Sequence, residues 1–64
     1  MDTMRQGWDV FDEHGHKIGN LAEIHRDYVV VREGKLFRKD VRLPSSAVLR
    51  TNAANHRVDL APTP

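Results

Sequence analysis

Tyr28-Val29-Val30-Val31-Arg32-Glu33 is the stretch on which the fold of this chain turns. Three valines behind a tyrosine are β-branched and aromatic residues, which suit a pleated surface and lose side-chain freedom in a helix. Arg32 requires water, and side chains alternate along a strand. Tyr28 and Val30 therefore share its outer face, while Val29 and Val31 point inward. Arg26-Asp27 makes the tight turn that leads in, and Gly34-Lys35 opens the loop that leads out through Leu36, Phe37, Arg38 and Lys39 to Asp40.

Upstream, Gly7 to Asp12 reads as a first short strand, with Trp8 and Val10 on one face and Asp9 and Phe11 on the other, leaving one of the two aromatics half covered. Glu13-His14-Gly15-His16-Lys17 is a hairpin loop in which Gly15 can supply a positive φ. The run from Ile18 to His25 breaks alternation, since Ile18, Leu21 and Ile24 are three apart. A turn of helix and a strand bent by a bulge near Gly19 both fit, and the flanking strands favour the bulge. Downstream, Val41-Arg42-Leu43 alternates and stops at Pro44. Pro44-Ser45-Ser46 suggests one helical turn, with proline in its first turn and serine as its cap. Ala47 to Arg50, a turn over 51–55, and His56 to Leu60 with Val58 and Leu60 inward complete the series.

No long segment places apolar residues at i, i+3, i+4 and i+7. The expected fold is all-β: five or six short antiparallel strands and one short helical turn near Pro44–Ala47. Such strands close into a small barrel or half-barrel, because exposed edges are sticky. The expected division is a flexible N-terminus over 1–6, a single domain over 7–60 and a flexible tail over 61–64.

Three stretches carry a resemblance: Val10-Phe11-Asp12-Glu13-His14-Gly15-His16-Lys17-Ile18-Gly19, Asp27-Tyr28-Val29-Val30-Val31, and Leu36-Phe37-Arg38-Lys39-Asp40-Val41-Arg42-Leu43-Pro44-Ser45-Ser46-Ala47-Val48. In order and spacing they resemble the PRC-barrel superfamily, and within it a group of short bacterial proteins described as a domain of unknown function. The match runs from about Gly7 to Leu60. It implies a β-barrel of about six strands, commonly used as a docking or adaptor module. The ribosome maturation factor with this barrel carries a second domain, and the photosynthetic reaction-centre subunit with it carries a transmembrane helix. Neither feature is present in this sequence, and neither role is carried over.

Composition narrows the function classes. At 64 residues, the chain lies near the lower end of what folds alone, where disulfides, a structural metal or oligomerisation usually help. Cysteine is absent, which removes disulfides, zinc–thiolate sites and cysteine nucleophiles and leaves oligomerisation as the expected aid. Ten basic residues against nine acidic ones give a formal charge of +1, which lacks the cationic excess of a dedicated polyanion binder. No apolar run approaches the roughly 20 residues needed to span a bilayer, and the start of the chain lacks the apolar stretch of a signal peptide. A cytoplasmic location is expected.

Each candidate chemistry competes with a plainer explanation. His14, His16, His25 and His56 are the only histidines, and nothing in the sequence places His25 or His56 beside the loop of the first two. They read as solvated rather than as metal ligands. Asp12-Glu13-His14-Gly15 lacks the further oxygen ligands of a calcium loop, because Lys17 and Ile18 follow. No nucleophile signature surrounds Ser45 or Ser46. The expectation is a non-enzymatic module without a cofactor, metal or catalytic residues. Its candidate protein interface, for a second copy in a homodimer or for another protein, is the outer face with Phe11, Tyr28 and Val30. The alternative is a small barrel that binds RNA or single-stranded nucleic acid through the basic stretch Lys35, Phe37, Arg38, Lys39 and Arg42.

Overall fold

The protein is described by a computed structural model over residues 4–34 and 38–62. It contains six strands and one 3-10 turn: β1 (Asp9–Phe11), β2 (Lys17–Ile24), β3 (Tyr28–Glu33), β4 (Lys39–Pro44), η1 (Ser45–Ala47), β5 (Val48–Asn52) and β6 (Arg57–Leu60). They form a single sheet in the order β4-β3-β2-β1-β6-β5, strongly curled into a half-barrel. No helix among the described residues is long and apolar enough to cross a membrane.

Neighbouring strands are antiparallel except β1 and β6, which run parallel with Val10 opposite Val58. The all-antiparallel expectation is corrected there. Sequential strands joined by tight turns must be antiparallel, but β6 returns to β1 from the far end of the chain, where no hairpin dictates direction.

Alternation places the core as expected along β3. Val29 and Val31 are fully buried, as are Val10 and Val58, and Trp8 and Leu21 join them in one cluster. Leu60 packs against that cluster from partial exposure, together with Met4, Ile18, Ile24, Leu43 and Val48. No polar side chain is buried among the described residues, so this core needs no internal hydrogen-bond partners.

The irregular spacing of β2 resolves into bulges rather than helix. Val10 pairs with Gly19 while Phe11 pairs with Lys17, so Ile18 is the extra residue beside Gly19. Leu21 pairs with Val31 while Glu23 pairs with Val30, so Ala22 is a second one. The second bulge returns Ile24 to the face of Leu21 despite their three-residue spacing. Gly19 is required by close approach. A Cβ there would sit on the Arg32 carbonyl, 3.0 Å from its carbon and 3.1 Å from Val31 Cγ1.

Two turns differ in detail from their sequence reading. Neither serine caps η1: Pro44 is the flanking residue and contributes no side-chain bond, while Ser45 Oγ donates instead to the Arg26 carbonyl at 2.9 Å. Proline fits this position because η1 begins from its extended conformation. The last turn lies later than expected, because β5 continues to Asn52 and His56 belongs to the turn with φ +50°.

Two glycines therefore differ in why they are needed. Gly15, at φ +79°, has open space around it, and an alanine there is expected to cost about 1 kcal/mol through backbone strain alone. Gly19→Ala forces two strands apart and is expected to cost about 3 kcal/mol. Urea denaturation followed through Trp8 fluorescence distinguishes them; equal costs would contradict this account of β2.

Candidate interaction surface

The outer face of the curled sheet carries the residues that alternation turns away from the valine core. On β3 and β4 these are Tyr28, Val30, Arg32, Asp40 and Arg42, because Val30 pairs with Arg42 and Arg32 with Asp40. On β1 and β6 they are Asp9, Phe11, Arg57 and Asp59, flanking buried Val10 and Val58.

Tyr28, Val30 and Phe11 do not adjoin in an open apolar patch. Phe11 pairs with Lys17 at the start of β2, whereas Tyr28 lies beyond the Ile24–Val29 pair at the other end of that eight-residue strand. Val30 shares the face of Tyr28 but is itself only 8% exposed. Its cross-strand partners are Glu23 and Arg42, whose long side chains stand beside it. The sequence assigns Val30 to the correct face, and the structure corrects its expected exposure.

Each aromatic on this face is capped by a guanidinium. Arg57 lies 3.8 Å from the Phe11 ring centroid, with its Nε 2.8 Å from Asp59 Oδ1. Arg42 lies 4.2 Å from the Tyr28 centroid, and the His25 ring stacks on Tyr28 with centroids 4.3 Å apart. Glu23 in turn holds His25 Nε2 at 2.7 Å. Such cation–π stacks contribute about 0.5–1 kcal/mol at partly exposed sites.

The basic stretch is dispersed. Lys35 and Phe37 lie outside the described residues. Arg38 and Arg32 line a shallow cleft of about 410 Å³ with Gly7, Asn20 and Gly34. Lys39 begins β4 on the opposite face from Arg42, which is engaged with Tyr28. Asp40 receives Arg32 Nε at 2.9 Å and its terminal nitrogen at 3.3 Å.

The histidines are equally scattered. His14 and His16 lie in the β1–β2 hairpin with ring centroids 6.2 Å apart, His25 is held by Glu23 and Tyr28, and His56 stacks on Trp8 at 5.3 Å. Among the described residues no three His, Asp or Glu side chains gather in a metal-binding group. The hairpin's organising group is Asp12, whose Oδ1 accepts the backbone N–H groups of both His14 and His16 at 2.9 Å.

One apolar concavity was not foreseen. A groove of about 460 Å³ lies where the two ends of the curled sheet approach, lined by Leu43, Pro44, Ala47, Leu60, Ala61 and Pro62. Nearby in sequence, Leu49 is the one exposed large apolar side chain among the described residues, at 56% exposure. It is the bulged residue of β5, since Val48 pairs with Leu60 and Arg50 with Asp59. A bulge breaks the alternation of facing along a strand, and no glycine marks this one. Comparison with protein-family models, curated proteins and solved structures finds no match to this chain.

Two predictions follow from these contacts. Tyr28→Ala removes a ring held between two partners and is expected to cost about 2 kcal/mol. Tyr28→Phe is expected to cost little, and equal losses in urea denaturation would contradict the stacking account. The second concerns pH. The His16 backbone N–H, opposed in part by desolvation and aided by His14, lowers the Asp12 pKa; the Arg32 hydrogen bond lowers that of Asp40. A lowered folded pKa gives stability that is complete above the ordinary carboxylate range and lost as pH falls through the folded value. The melting temperature should be level from pH 7 to about 5 and fall below about pH 4. The double variant Asp12→Asn with Asp40→Asn should show a shallower fall, and an unchanged slope would contradict this assignment.

Proposed function

We propose that this chain is a non-enzymatic protein-interaction module of the PRC-barrel type that acts by self-association or by docking on another protein. The observation that carries this reading is the open sheet. A half-barrel ends in two edge strands, β4 and β5, and among the described residues no further strand lies outside either. Backbone N–H and C=O groups along such an edge are ready to pair with another chain. The apolar groove between Leu43 and Leu60 adds surface of the kind that partners cover.

The barrel assignment rests on where the resembling motifs fall. Gly15 turns the first hairpin, Ile18-Gly19 forms the bulge that opens β2, and Pro44 to Val48 passes through η1 into β5. These joints lie where the curled sheet turns or bends, which supports the resemblance.

Light scattering on a size-exclusion column, from micromolar to millimolar protein, tests the self-association arm. Retention of cellular protein by immobilised chain, compared with the same chain immobilised and held unfolded by denaturation, tests docking. Mass that rises with concentration, or fold-dependent retention of one defined protein, is expected. A chain that stays monomeric and retains nothing beyond the unfolded control would remove the proposal.

A further inference from the structure

The geometry points to a second copy of this chain as the occupant of the β4 edge, paired antiparallel about a two-fold axis through Val41. This inference rests on the interaction reading above and specifies its surface.

The direction of the free backbone groups follows from the hydrogen bonding around β3. The Tyr28 carbonyl accepts the His25 N–H at 2.9 Å, so Tyr28 aims its backbone groups towards the β2 side. Successive residues alternate, and Val29, Val31 and Glu33 therefore aim theirs at β4. Their partners Leu43, Val41 and Lys39 reciprocate, which turns the backbone groups of Asp40 and Arg42 out of the sheet. Pro44 falls on the same outward side, where its missing N–H costs nothing.

The two edges are not equivalent. The β3–β4 pairing runs through six consecutive residue pairs without a shift, so β4 presents a regular edge. β5 is interrupted by the bulge at Leu49, which disrupts the ladder a new strand would join.

Charge then selects one register. An antiparallel pair that places Asp40 opposite Asp40 of the second copy, or Arg42 opposite its twin, sets like charges face to face. The register centred on Val41 places Asp40 opposite Arg42 twice over. In that register Asp40 and Arg42 are both outward-aimed residues, so each pair exchanges two backbone hydrogen bonds. Side chains of opposite charge then stand on one face. Asp40 would sit between Arg32 of its own chain, at 2.9 Å, and Arg42 of the other. Half-buried Val41 would meet its twin on the concave side. The pairing stops naturally at Lys39 and Pro44, so a contact this short lies at the small end of specific interfaces, under about 1,200 Å². The association is accordingly concentration-dependent and, being exposed and ionic, weakened by salt.

Two single variants test the register. Asp40→Arg leaves arginine at both positions, and Arg42→Asp leaves aspartate at both. Each chain alone is expected to dimerise about tenfold more weakly than the natural chain in sedimentation velocity at low salt. An equimolar mixture of the two restores opposite charges at every pair and is expected to recover the dimer. Circular dichroism verifies that each variant is folded. Independently, Val41→Cys provides the sole thiol in a chain without cysteine. On the axis its Cα atoms would lie about 4.5 Å apart, within disulfide reach, so mild oxidation is expected to yield covalent dimer. A natural chain that dimerises while both charge variants keep its affinity and Val41→Cys gives no covalent dimer would overturn the β4 assignment and leave self-association through another face. A natural chain that stays monomeric at millimolar concentration would overturn the β4 pairing too, leaving docking on a different protein to the retention experiment.

Discussion

The constraint on which the whole sheet depends is the shortness of η1. β4 and β5 occupy opposite edges of a six-stranded sheet, yet only Ser45–Ala47 separate them. In a flat sheet those edges would stand about 24 Å apart, whereas four Cα steps reach at most about 14 Å. The sheet must therefore curl until its edges approach at that end. The link is tied on both sides: the Ser45 N–H and hydroxyl donate to the Asp27 and Arg26 carbonyls, and the Ala47 carbonyl accepts the Ala61 N–H at 2.7 Å. Curling in turn demands local breaks in the ladder, which the bulges at Ile18, Ala22 and Leu49 provide.

Curl also explains what fills the interior. A tightly bent sheet leaves a narrow concave space, and four fully buried valines occupy it with Trp8 and Leu21. So small a core stabilises a chain weakly. Part of the compensation lies on the outer face, where Arg57 over Phe11 and Arg42 over Tyr28 extend packing beyond the core. Their aliphatic stems cover apolar surface while the charged heads stay in water. The outer face is consequently closed by charged residues, and the open ground lies at the edges and in the groove.

The elements were legible in the sequence because local chemistry fixes them. Val29-Val30-Val31 permits only one comfortable conformation, Gly15 alone in its loop can take φ +79°, and Pro44, with its φ fixed by the ring, leads from extended backbone into η1. Facing was legible too, since alternation is a local rule that held for Tyr28, Val29 and Val31. What covers an outward residue was not legible. Val30 is shielded because register sets Glu23 on one side and Arg42 on the other, and register is a relation between strands. The parallel β1–β6 pair and the groove at Leu43 and Leu60 escaped for the same reason. Both join segments far apart in the chain, and no single window contains them.

That distinction bears on how the two edges came to differ. The three bulges lie on β2 and β5, while β3 and β4 pair without a break. Curvature concentrated on one part of the sheet leaves the other part straight. The bulge in β5 serves closure and blunts that edge as a by-product, turning Leu49 outward instead of leaving a regular ladder. β4 lies away from those breaks and keeps six regular positions, bounded by Lys39 and Pro44, two residue types that discourage indiscriminate strand addition. Between these guards the alternating Asp40 and Arg42 admit an antiparallel twin in one register and repel it in the neighbouring ones. An edge protected at its ends and self-complementary at its centre is a selective edge, and its selectivity follows from where the sheet had to bend.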